Sequence, residues 1–127
     1  MTSILNLAAM ALTIAFGLIG FLAPGYTMEV LGLMPVPGET MGFSEIRAAN
    51  GALFVGLGLA GVILRQRPVF LTVGAAYAGA AAGRLTGVLV DGSGPQAAMF
   101  FIVEAGLALW LILANRPQRP APAPEAG

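Results

Sequence analysis

Any chemistry in this chain falls to a few side chains that interrupt long apolar runs. Glu45, Arg47 and Asn50 stand at the mouth of one run, Arg84 and Asp91 within and at the end of a second, and Glu104 within a third. Tyr77, Arg84 and Asp91 are spaced by seven and share one face of a helix. An unpaired charge in lipid costs at least about 2.5–3.5 kcal/mol, so these groups are expected to face inward and pair. Arg84 with Glu104 is the first pair expected, because both lie deepest and their segments are joined by a short turn. Arg47 with Asp91 or Glu45 comes second, although Glu45 and Arg47, two apart, point away from each other along a helix.

Two readings of this cluster stand side by side. In one, the charges are buried ion pairs that fix helix register. In the other, the arginines hold an anionic or carbonyl-bearing ligand while Glu104 handles a proton or a cation. Tyr77 taken alone reads as packing, Asn50 as an interhelical hydrogen bond, and Glu29 and Glu39 as solvated loop residues. No P-loop, nucleophile elbow or metal signature occurs, and Gly56-Leu57-Gly58 lacks the strand that a dinucleotide fingerprint needs. No catalytic residue, metal site or cofactor is therefore assigned.

The elements that must position these groups are membrane helices. Of 127 residues 57% are hydrophobic and 9% charged, against about 25% charged in a soluble domain, too few to cover a water-facing surface. Six basic residues balance six acidic ones, which leaves no basic surface for nucleic acid. The chain has no Cys, which excludes disulfides and thiolate metal sites, and no His, the usual acid–base group near neutral pH. Its six Met residues read as packing within apolar helices.

Ile4 to Ala23 is long enough, at 1.5 Å per residue, to cross about 30 Å of hydrocarbon. It lacks the basic start of a signal peptide and is read as the first span. Pro24-Gly25 breaks it. Tyr26 to Met34 is expected to form a short helix on the membrane surface, ended by Pro35-Val36-Pro37-Gly38. A second span runs from Ser44, a candidate cap, to Leu64. A third follows Pro68 and reaches about Val90, where Asp91-Gly92-Ser93-Gly94-Pro95 turns the chain. The fourth covers Gln96 to Ala114. Residues 1–114 thus form an all-α, four-helix transmembrane bundle, and 115–127 a disordered Pro-rich tail.

Arg65 and Arg67 follow the second span, and Arg116 and Arg119 the fourth, which places all four on one side and both termini in the cytoplasm. The charged cluster then lies in the outer half, with Arg47 about 5 Å, Arg84 about 10 Å and Glu104 about 13 Å deep. Stripes of small residues, Ala52, Gly56 and Ala60 on one helix and Ala75, Gly79 and Gly83 on the next, are expected to let backbones approach closely.

Ser44-Glu45-Ile46-Arg47-Ala48-Ala49-Asn50-Gly51, followed by Gly56-Leu57-Gly58, resembles a group of small bacterial membrane proteins of unknown function. That family has four predicted spans and a Ser-Glu-Ile-Arg-Ala signature at the start of the second. The layout is distantly similar to DoxX-like four-helix proteins, some of which are linked to quinone-reducing respiratory complexes. Without Cys, no thiol-redox role of such relatives carries over. The resemblance implies the fold and a place in a bacterial inner membrane, with Arg84, Asp91 and Glu104 as further polar positions of the family.

The sequence therefore predicts a multi-pass membrane protein whose partner is the lipid bilayer. It binds or moves a small ligand at the Arg–carboxylate cluster, or serves as an accessory subunit, docked on a membrane-protein partner or on its own copies. An enzyme acting on a lipid or quinone is the reading with least support, since no acid–base group tuned for it stands out.

Overall fold

A computed structural model describes residues 3–117. It contains five helices: α1 (Ile4–Leu22), α2 (Pro24–Val30), α3 (Met41–Leu64), α4 (Arg67–Val90) and α5 (Pro95–Asn115). All but α2 are long and apolar enough to cross a membrane. The chain is an all-helical bundle with four candidate spans, and among the described residues it has no strand. Large apolar side chains such as Ile63, Leu89, Ile102 and Leu113 point outward, as a bundle solvated by lipid requires.

The helices associate as two close pairs, α1 with α3 and α4 with α5. Glycine makes the first pair possible. A Cβ on Gly17 would stand 2.6 Å from the Val55 nitrogen, and one on Gly51 would stand 2.7 Å from the Phe21 nitrogen. Gly20 lies against the Asn50 carbonyl, and Gly58 against Ile14 and the Met10 carbonyl. The partners run from Gly20 beside Gly51 to Met10 beside Gly61, so α1 and α3 are antiparallel. In the second pair Gly74 rests on Leu111 and Ile112.

The small-residue stripes expected to make these contacts do something else. Cβ atoms on Gly56, Gly79 and Gly83 would meet nothing within 4 Å, and Ala52, Ala75, Gly79 and Gly83 are exposed. Every face of these helices is apolar, so apolarity cannot tell which small residues turn inward. Gly17, Gly20, Gly51, Gly58, Gly61 and Gly74 carry the packing instead.

The pairs meet around a core of Met10, Phe70, Val73, Tyr77, Ala108 and Leu111. Two buried polar contacts tie the elements together. Thr13 donates to the Ala9 carbonyl at 2.8 Å, which commits its one proton, so the Tyr77 hydroxyl, also 2.8 Å away, donates to Thr13. At the end of the bundle that carries residue 3, the Asn6 amide donates to Asn115 Oδ1 at 2.8 Å, and Trp110 Nε1 donates to Asn6 Oδ1 at 3.1 Å. Both ends of the described chain thus lie on one side. The antiparallel pairing brings Arg65 and Arg67 there too.

The helix boundaries refine the expected ones. The second span starts at Met41, one turn ahead of Ser44, because the Thr40 carbonyl accepts from the Phe43 and Ser44 amides. Ser44 therefore lies inside the helix and caps nothing. The surface helix α2 ends at Val30 rather than Met34. Gly32, at φ +70, closes it with bonds from Gly32 to the Glu29 carbonyl and from Leu33 to the Met28 carbonyl. Asn115 is the last residue of α5, not the first of a tail. The remainder of the expected tail from residue 118 on, with Arg119, lies outside the described residues.

Candidate functional site

Between the two helix pairs, at the end away from residue 3, lies a cavity of about 340 Å³. All five helices line it: Phe16 and Ile19 from α1, Tyr26 and Val30 from α2, Asn50 and Phe54 from α3, Tyr77 and Arg84 from α4, and Phe100, Val103 and Glu104 from α5. Its volume falls within the roughly 300–1,000 Å³ typical of small-molecule pockets. Its wall is apolar and rich in aromatic rings, with Phe54 and Tyr77 packed edge to face at 5.9 Å.

The polar groups on this wall are few. Arg84 Nε lies 3.6 Å from Glu104 Oε1, and the two side chains are 32% and 15% exposed. The contact joins helices connected by a four-residue turn, Asp91 to Gly94. The Arg84 guanidinium also sits over the Phe100 ring, 5.1 Å from its centre. The other carboxylate oxygen, Glu104 Oε2, is buried and makes no hydrogen bond within the protein. A buried acceptor left in that state costs about 1–3 kcal/mol or more, so the Glu104 carboxylate retains unused affinity for a donor.

Asn50 reaches the cavity through an irregularity in α3. Residues Ile46–Ala52 are wound as a π-helix, with the Leu53 amide bonded to the Ala48 carbonyl. A π segment holds one more residue per turn than its α-helical flanks and occurs often at functional sites. Here it overlaps the Ser44–Gly51 stretch singled out from the sequence and runs one residue beyond it. Gly51 and Gly20 let the widened turn lie directly on α1, with the Asn50 carbonyl facing Gly20.

The site residues read from the sequence divide into two groups. Asn50, Tyr77, Arg84 and Glu104 come together around the cavity. Glu45, Arg47 and Asp91 do not: all three are exposed. Arg47 turns away and donates to the Phe21 carbonyl, one of the free carbonyls at the end of α1, where a cation also complements the helix dipole. The second expected ion pair, Arg47 with Asp91 or Glu45, is not formed, because α1's end takes the Arg47 guanidinium and Asp91 sits in the turn beyond α4. The stripe Tyr77–Arg84–Asp91 consequently lines the cavity with its first two members only.

The aromatic lining was not legible in the sequence, and of the roof only the helix was, expected from Tyr26 to Met34 without its place over a cavity. Phe16, Phe54 and Phe100 read as ordinary span residues, since nothing in apolar spacing distinguishes a cavity wall from a lipid-facing side. The roof is α2, whose buried Pro24 and Met28 seat it and whose Val30 carbonyl accepts from Gln96 on α5. The five exposed side chains Phe16, Ile19, Tyr26, Met99 and Val103 mark the cavity's mouth, between α1 and α2 on one side and α5 on the other.

No curated protein and no solved structure gives a match to this chain. Four apolar helices and a match over residues 1–115 to the domain of unknown function DUF4345 make the chain a member of that family, with the architecture of an integral membrane protein.

Proposed function

We propose that this protein binds or moves a small ligand in the cavity beneath α2, with Arg84 and Glu104 as the polar contacts. The observation that carries the reading is the Arg84–Glu104 pair, two charged side chains on the wall of a pocket-sized apolar cavity that meet loosely at 3.6 Å and leave Glu104 Oε2 without a hydrogen bond within the protein. A pair serving only to fix helix register would be expected to saturate both carboxylate oxygens, because a half-satisfied buried network is costly. Asn50 and Tyr77 orient the ligand's other polar groups or border its body. On this reading the cavity lies in the outer half of a bacterial cytoplasmic membrane with both termini inside, an orientation supported by Arg65, Arg67 and Arg116 lying at one end of the bundle.

The test is Arg84→Gln, which removes the cation and keeps a long polar side chain. Wild-type protein purified by gentle extraction, then extracted with organic solvent, carries a small molecule that mass analysis finds at near-equal stoichiometry. Arg84→Gln loses that molecule while keeping its helical circular dichroism. A variant that unfolds, or a wild-type protein that carries nothing, supports the register role instead.

A second reading has one observation in its favour. The exposed small-residue face of α4, Ala75, Gly79 and Gly83, offers a helix of another membrane protein, or of a second copy, a close approach. On that reading the protein is an accessory subunit of a larger membrane complex. Gly79→Leu then releases it from its partner, whereas the ligand reading leaves Gly79→Leu without effect on bound small molecule.

A further inference from the structure

Resting on the cavity reading above, we infer that the ligand is an uncharged amphiphile of the aryl alcohol class, which enters sideways from the lipid and donates its hydroxyl to the Glu104 carboxylate. Three observations carry this. The first is the state of the polar wall. Glu104 lines the cavity, meets Arg84 only at 3.6 Å and has an oxygen that accepts from nothing in the protein, so its carboxylate still calls for a donor. Arg84 engages Glu104 through Nε at 3.6 Å and stays 32% exposed, which leaves its terminal N–H groups to donate to the same head. A hydroxyl does both at once: its hydrogen goes to Glu104 and its lone pairs accept from Arg84.

The second is charge. Arg84 and Glu104 already neutralise each other, and the rest of the lining carries no ionisable group except the two tyrosines, Tyr26 and Tyr77. An anionic head drawn to Arg84 would be brought against the Glu104 carboxylate in an apolar enclosure, where like charges repel strongly. A cationic head would meet Arg84 in the same way. A neutral head incurs neither penalty.

The third is the shape and facing of the cavity. Its mouth is formed by the exposed side chains Phe16, Ile19, Tyr26, Met99 and Val103, and α1 and α5, which carry four of them, are long and apolar enough to cross a membrane. A molecule dissolved in the bilayer reaches the opening directly, and its apolar tail can remain in the lipid. Inside, Phe16, Phe54 and Tyr77 present ring faces and edges suited to an aromatic body.

The experiment uses the full chain in phosphatidylcholine nanodiscs with a diazirine-bearing 4-octylphenol as photoaffinity tracer. Competitors are 4-octylphenol, its methyl ether 4-octylanisole, and 4-octylbenzoate. The expected result is labelling at the mouth, on peptides holding Phe16 or Met99, displaced by the phenol. The ether, which cannot donate, and the benzoate, which is an anion, compete at least about tenfold more weakly. Glu104→Gln, which replaces one acceptor oxygen by an amide donor, removes the preference for phenol over ether. If that variant does not fold, the competitor series on the wild-type protein decides alone. Equal competition by phenol and ether, or stronger competition by the benzoate, overturns the alcohol class while the cavity reading stands. Labelling spread evenly over lipid-facing residues, with no competitor displacing it, overturns both.

Discussion

Arg84 divides its guanidinium between the Glu104 carboxylate and the face of Phe100, and neither contact is of the strong, bidentate kind. At 3.6 Å the ion pair is loose enough to be remade around a third group. This pair was legible in the sequence because the two charges lie deepest and their helices are joined by a short turn. The Asn6–Asn115 contact was not, since it links residues 109 apart in sequence and exists only once the bundle closes. It also has the clearer structural consequence. Asn115→Ala leaves the Asn6 amide buried with one fewer partner and is expected to cost about 1–3 kcal/mol, read from unfolding in mixed detergent micelles. Because this contact lies at the opposite end of the bundle from the cavity, the same variant keeps its ligand. A loss of ligand in Asn115→Ala without loss of stability would break that separation.

At the scale of elements, helix packing here is decided by where glycine lies, and in lipid no hydrophobic face announces it. Four spans could be read from length and apolarity, and the turns between them from Pro, Gly and Asp. Which small residues face a neighbour could not, because an apolar solvent gives every face of a span the same affinity for its surroundings. The π-wound segment was equally hidden, since an extra residue in a turn leaves no periodic trace in an apolar run. A paired substitution checks the packing. Gly20→Ala places a methyl group against the Asn50 carbonyl and is expected to destabilise by about 1–3 kcal/mol. Gly56→Ala, whose methyl group meets nothing, changes stability by no more than about 1 kcal/mol. Equal effects in the two variants would contradict the close approach of α1 and α3. Gly20→Ala also pushes on the backbone that carries Asn50 and is expected to weaken ligand retention where Gly56→Ala does not.

For the whole molecule, two antiparallel helix pairs are tied by Asn6 and Asn115 at the end of the described termini and enclose the cavity at the other. Thr13–Tyr77 lies at the floor of that opening and α2 is its roof. Apolar lining, a minimal polar wall and a mouth beside two candidate membrane spans suit a site supplied from the membrane rather than from water. A ligand site and a pair of charges that only sets register differ in what the protein carries out of its membrane. Native mass spectrometry of the intact protein, released gently from its own membrane, separates the two. The ligand role is expected to give a chain, alone or self-associated, that retains a small molecule, with the molecule absent from Arg84→Gln. A stoichiometric protein partner with no retained small molecule, unchanged by Arg84→Gln and lost on Gly79→Leu, would contradict it and identify the protein as a subunit.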